Sequence, residues 1–111
     1  MQFGHKCESL AADYAAHVKG WRVIARNVYS RYGELDLVCH DGRAWRFIEV
    51  KGRRGDRFGS GPELVTQAKF QRLIKCISGW MQKEGWGPWH LELWCVSEKG
   101  HFECWPLQES N

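Results

Sequence analysis

The chain has 111 residues, of which 43% are hydrophobic and 26% charged, with a net charge of +3. That length gives one domain with a real core and no room for a second, and the composition is that of a globular protein. No apolar run approaches the about 18 residues of a membrane span. The N-terminus has no apolar stretch of signal-peptide length either, so the expectation is a cytoplasmic protein without a membrane. The mild positive charge permits a polyanionic partner without requiring one.

In chain order, the first expected helix runs from about Lys6 to Lys19. Cys7, Leu10, Ala11, Tyr14 and Val18 recur at helical spacing, and Gly20 supplies the stop. Trp21–Asn27 reads as a strand with Trp21, Val23 and Ala25 on one face. Glu34–His40 and Trp45–Lys51 read as two strands around Asp41-Gly42, a strong hairpin signal. Both are apolar on both faces, with Leu35, Leu37, Ile48 and Val50 one way and Val38, Trp45 and Phe47 the other, which belongs to mid-sheet strands flanked by helices. Gly52–Gly61 is a glycine-rich basic loop. A second helix then begins near Pro62, with capping-box spacing at Ser60 and Glu63. Its buried stripe is Phe70, Leu73, Ile74, Ile77 and Met81, with Gln67, Gln71 and Lys75 opposite. Gly85–Pro88 ends it, and His90–Val96 with His101–Trp105 closes the sheet. The order is αβββαββ, a mixed α/β domain.

Charges on the central strands carry the chemistry. Side chains alternate along a strand, so Glu34 and Asp36 share a face, and so do Glu49 and Lys51. A two-residue turn puts Asp36 opposite Phe47 and diagonal to Glu49, whereas a four-residue loop puts it directly opposite Glu49. Either register brings both carboxylates to one face, roughly 5–8 Å apart at Cβ. Two carboxylates there are costly to bury unless they hold a hard divalent cation, and Mg2+ suits oxygen ligands and phosphate chemistry. Lys51 then orients the attacking water or steadies transition-state charge. Alone, Glu49-Val50-Lys51 is a weak signal, since a solvated ion pair at a strand end has the same sequence. Asp36, the short turn and the basic loop strengthen it.

Arg53, Arg54 and Arg57 read as a phosphate-gripping loop in which glycines let a nucleic-acid strand approach. Lys69 borders the polar face of the second helix, within reach of the site. The five cysteines contain no CxxC pair and read as reduced thiols. The five histidines lack metal-ligand spacing. The seven tryptophans, Trp86 and Trp89 among them, read as packing.

Gly4-x-x-x-Glu8, then Gly33-Glu34-Leu35-Asp36-Leu37-Val38, then Phe47-Ile48-Glu49-Val50-Lys51 resembles the PD-(D/E)xK nucleases. Among these the chain is most similar to archaeal Holliday-junction resolvases and the small bacterial YraN-like family related to them. The YraN-like similarity continues through Gly20-Trp21, Ile24-Ala25-Arg26-Asn27, Arg53, Phe58-Gly59, Lys69 and Arg72-Leu73. The resemblance implies a restriction-endonuclease-like αβββαβ core, with Asp36, Glu49 and the Val50 carbonyl as ligands of Mg2+ or Mn2+. It also implies Lys51 as the catalytic lysine and Glu8 as an extra acidic group at the metal. Resolvases follow that glutamate with arginine, where this chain has Ser9. The expected activity is an endonuclease acting on branched or structured DNA, as a homodimer and without a small-molecule cofactor. Two other readings stand beside it. One is a nucleic-acid-binding module of the same fold that does not cut; the other, supported by the tryptophans, is a protein-interaction scaffold.

Overall fold

Hydrophobic periodicity and turn residues lay out the elements seen in a computed structural model, which describes residues 3–54, 61 and 64–110. They are α1 Phe3–His17, β1 Arg22–Ser30, β2 Gly33–His40, β3 Trp45–Arg53, α2 Gln67–Glu84, β4 Trp89–Ser97 and β5 Phe102–Glu109. The expected order holds. The sheet runs β1-β2-β3-β4-β5, antiparallel except for β3 and β4, which lie parallel because α2 carries the chain back between them. This α/β arrangement is consistent with a restriction-endonuclease-like core.

Each sheet face is covered, as the two-faced apolar strands require. On one face Cys7, Ala11 and Ala15 of α1 pack on Leu37, Ile48, Trp94 and Val96. Small residues on α1 let the helix lie close to the sheet. On the other, Leu73, Ile77 and Met81 of α2 pack on Val38, Phe47 and Leu91. Gln67, Gln71 and Lys75 are exposed, as the helical spacing predicts. No described helix is long and apolar enough to cross a membrane.

Four expectations change. Val18 lies beyond the end of α1 and is 66% exposed, because Gly20 (φ 72°) turns the chain away before another helical turn forms. Trp21 and Val23 pack on the α1 side, but Ala25 packs on the α2 side, because a register shift between Val23 and Ala25 breaks the alternation. The basic loop is shorter at its start, since parallel pairing with β4 carries β3 on to Arg53. Helix α2 starts at Gln67, where the Thr66 hydroxyl caps it by accepting from the Lys69 N–H at 3.1 Å. Ser60, Pro62 and Glu63, the expected start, lie outside the described residues.

At Gly52, β3 lies close against α1. A methyl added there would lie 2.7 Å from the Phe3 ring and 2.8 Å from Cys7 Sγ. Gly52→Ala is therefore expected to cost about 1–3 kcal/mol by overpacking, read as a lower urea midpoint at unchanged slope. A wild-type midpoint would mean that α1 is not held against β3 as described.

Candidate metal centre

The β2–β3 loop sets the register of the site. It has four residues, 41–44, closed by the Asp41 N–H donating to the Ala44 carbonyl at 3.1 Å, with Gly42 in the left-handed region at φ 97°. Asp41 Oδ1 accepts from the Arg43 and Ala44 amides, both at 2.8 Å, and Oδ2 accepts from Arg46 Nε at 2.7 Å. Burial opposes ionisation of Asp41, but these amides and Arg46 outweigh it and hold the carboxyl at about 2. The resulting ladder pairs His40 with Trp45 and Leu37 with Ile48, and pairing ends there. One step on, Asp36 falls directly across from Glu49. The strands part at that point, and the Val50 N–H, which has no partner on β2, donates to Asp36 Oδ2 at 2.9 Å.

Alternation would place Glu34 and Asp36 together and Leu35 with Leu37. The structure corrects the second pairing: Leu37 packs with α1, Leu35 with α2. Pairing of β2 with β3 ends at Leu37–Ile48, so no ladder to β3 holds Leu35 on the Leu37 face. On the neighbouring strand Asn27, between the Arg26–Leu37 and Val28–Leu35 pairs, takes a left-handed φ of 51°. Asn27 Nδ2 donates to Glu34 Oε1 at 2.8 Å and to Glu8 Oε1 at 3.0 Å. Carboxylate oxygens of Glu8, Glu34 and Asp36 thereby lie within 4.8 Å of one another. Arg26 Nη2 donates to Ser9 Oγ at 3.2 Å, so a guanidinium from β1 stands beside the residue that follows Glu8.

Glu49 approaches Asp36 from the other face. Its Oε2 pairs with Lys69 Nζ at 3.0 Å, while Oε1 is buried with no hydrogen-bond partner among the described residues. Glu49 and Lys51 line one cleft with Thr66, Lys69 and Arg72. Lys51 is exposed and, among the described residues, is in no ion pair. Arg53 follows two residues later, half-buried, with Nε and Nη2 buried and without a partner among the described residues. Arg54 goes elsewhere: it lies 4.5 Å over the Phe3 ring and 4.0 Å from Glu98. Arg57 lies outside the described residues. Of the residues read from sequence, the structure brings together Glu8, Asp36, Glu49, Val50, Lys51 and Lys69, and Arg53 lines neither the acidic cluster nor the Glu49 cleft. Glu34 as a fourth acid and Asn27 as its clamp were missed; a lone asparagine inside a strand, a residue type that tolerates left-handed φ, was the available sign.

Burial and the Glu49 carboxylate push Asp36 up to about 8, with Glu8 adding to the rise and the Val50 amide opposing it. In chelator, then, the folded protein holds a proton that the unfolded chain releases near its ordinary value of 3.8. The resulting stability is fully present below 3.8 and is lost as pH rises through about 8. Denaturation midpoints of metal-free protein are expected to fall across that window, and Asp36→Asn should flatten the fall. A wild-type profile that is already flat would contradict the crowded, buried carboxyl.

Residues 7–102 match the family described as Uncharacterised protein family UPF0102. This chain belongs to that family. It is 46% identical over 83 residues to a UPF0102 protein of Mycolicibacterium vanbaalenii, covering 75% of this chain and 68% of the relative. A UPF0102 protein of Symbiobacterium thermophilum is 44% identical over 85 residues, with 77% and 71% covered. One of Vibrio campbellii is 37% identical over 83 residues, with 75% and 67% covered. The span matched to UPF0102 takes in Glu8, Asn27, Glu34, Asp36, Glu49, Lys51 and Lys69, and agrees with the YraN-like resemblance read from the motifs.

Proposed function

We propose that this UPF0102 chain is a divalent-metal-dependent endonuclease that hydrolyses phosphodiester bonds in DNA, with branched or structured DNA as its substrate and a homodimer as its working form. The observation that carries the reading is the convergence of Glu8, Glu34, Asp36 and Glu49 where β2 and β3 part, with Lys51 following Glu49 on the same strand and lining its cleft.

The donor set suits a hard cation. It offers only oxygens, one of them Glu49 Oε1, which has no hydrogen-bond partner among the described residues, and burial together with the Glu49 carboxylate raises the central acid, Asp36. Asp36 and Glu49, with the Val50 carbonyl, would hold Mg2+ or Mn2+, and Glu8 and Glu34 would complete the acidic wall. When bound, the ion supplies Lewis-acid charge and a more acidic water. The chain supplies the rest. The Val50 amide fixes Asp36 through Oδ2, and Asn27 fixes Glu8 and Glu34. Lys69 fixes Glu49 through Oε2 and leaves Oε1 unengaged. Lys51 places positive charge beside the phosphate that enters the cleft it lines with Glu49.

The Lys69–Glu49 pair also favours a second reading, a module that binds nucleic acid without cutting, since a neutralised ligand needs no metal. Cleavage of junction, flap and linear DNA under Mg2+ or Mn2+ titration decides between them. Metal-dependent products, lost on chelation, support the nuclease; metal-independent binding without products supports the module.

A further inference from the structure

Helix α2 carries Lys69, Arg72, Cys76, Trp80 and Lys83 at successive spacings of three or four residues, so they form one stripe along its edge. The stripe faces the end of the β1–β2 hairpin, and between them lies a groove of about 380 Å³. Its walls combine rings and cations: Tyr29, Tyr32 and Trp80 with Arg31, Lys75 and Lys83, against Glu84 alone. Tyr29 is 75% exposed. Around Tyr32, the Arg31 guanidinium stands 4.9 Å and Lys75 Nζ 5.6 Å from the ring centroid. Gly79 leaves the helix surface open at the groove, with no atom within 4 Å of where a Cβ would stand.

The groove adjoins the clefts beside the carboxylates. Cys76 borders both it and a small cleft lined by Gly33, Glu34, Lys69 and Arg72, and those two cations also border the cleft of Glu49 and Lys51. Duplex DNA presents phosphates to such a track but hides its base faces, so the tyrosines would be idle against it. Unpaired nucleotides present both phosphates to cations and bases to rings.

We propose that this groove seats a single-stranded arm of the nucleic acid leading away from the carboxylate centre. This rests on the nuclease reading for its biological sense and names the substrate class as DNA with an unpaired strand beside the cut.

The test is fluorescence anisotropy in chelator with a labelled short oligothymidylate, and with a blunt duplex as the comparison. Tyr29→Ala removes an exposed ring, and Gly79→Leu fills the groove with a better helix former, so both are expected to fold. Each should weaken oligothymidylate binding by at least about fivefold and leave duplex binding unchanged. Lys75→Ala with Lys83→Ala should lower the salt slope of log K by about 1.4, as two lost single-strand phosphate contacts do. Unaltered oligothymidylate binding in all of these variants overturns the proposal. Variants that turn a sedimenting dimer into a monomer without affecting oligothymidylate also overturn it, because the groove then seats a second copy of this chain. Groove-dependent binding in a protein that cuts no DNA supports the groove and overturns the nuclease reading alone.

Discussion

Asp36→Asn is expected to remove metal-dependent cleavage, by about a thousandfold or more, while leaving the fold intact. Asparagine keeps the shape of the side chain, and its carbonyl oxygen can still accept from the Val50 amide that aspartate binds at 2.9 Å. What goes is the charge at the one acid that meets both halves of the site, Glu49 on one side and Glu8 with Glu34 on the other. Losing it relieves like-charge crowding, so the metal-free variant should be more stable than wild type near pH 8, where the wild-type carboxyl begins to ionise. Glu49→Gln should also lose cleavage, and the Lys69 pair at 3.0 Å would weaken to an ordinary hydrogen bond. Activity and stability thus move in opposite directions for Asp36→Asn, which separates loss of a ligand from loss of a fold. Wild-type cutting in magnesium by either variant would remove these carboxylates from the reaction.

The parts of this site that depend on local pattern were legible beforehand. Asp41-Gly42 marks the turn, parity places Asp36 and Glu49 together whichever turn forms, and the structure selects the four-residue loop because Asp41 caps it with its own carboxylate. The parts that depend on tertiary context were not. Leu35 leaves the Leu37 face where β2 parts from β3, and the Asn27 that clamps Glu34 lies on a different strand, so no periodicity within β2 reveals either. The end of β3 shows the same limit: Gly52, Arg53 and Arg54 have loop composition, yet parallel pairing of Gly52 with Val96 and Arg53 with Ser97 holds the first two in the sheet. That extension separates the arginines, because alternation turns Arg53 toward the Glu49 face and Arg54 toward Phe3. Lys69 was within reach by helix geometry, but its pairing with Glu49 required knowing that α2 starts at Gln67 under the Thr66 cap.

Lys51 and Lys69 both stand at the Glu49 cleft, and substitution should tell them apart. Lys69 is committed to Glu49 and competes with a cation for Oε2, so Lys69→Ala should act through metal affinity, lowering the Mg2+ concentration that cleavage requires without a comparable loss of rate at saturation. Lys51 has no ion-pair partner among the described residues and is exposed at the mouth of the cleft, where a phosphate would enter. A protonated ammonium cannot be a metal ligand, so its contribution falls on the reacting phosphate or the attacking water. Lys51→Ala is therefore expected to keep metal-supported DNA binding and lose cleavage by roughly two to four orders of magnitude, with no rescue by added metal. Lys51→Arg should recover little of that loss, because the guanidinium is bulkier and does not give up a proton. The measurement is single-turnover cleavage at saturating Mg2+, with binding followed separately in Ca2+. Should Lys51→Ala cut at the wild-type rate, Glu49-Val50-Lys51 is only a strand end carrying an ion, and the module that binds without cutting becomes the better account of these carboxylates.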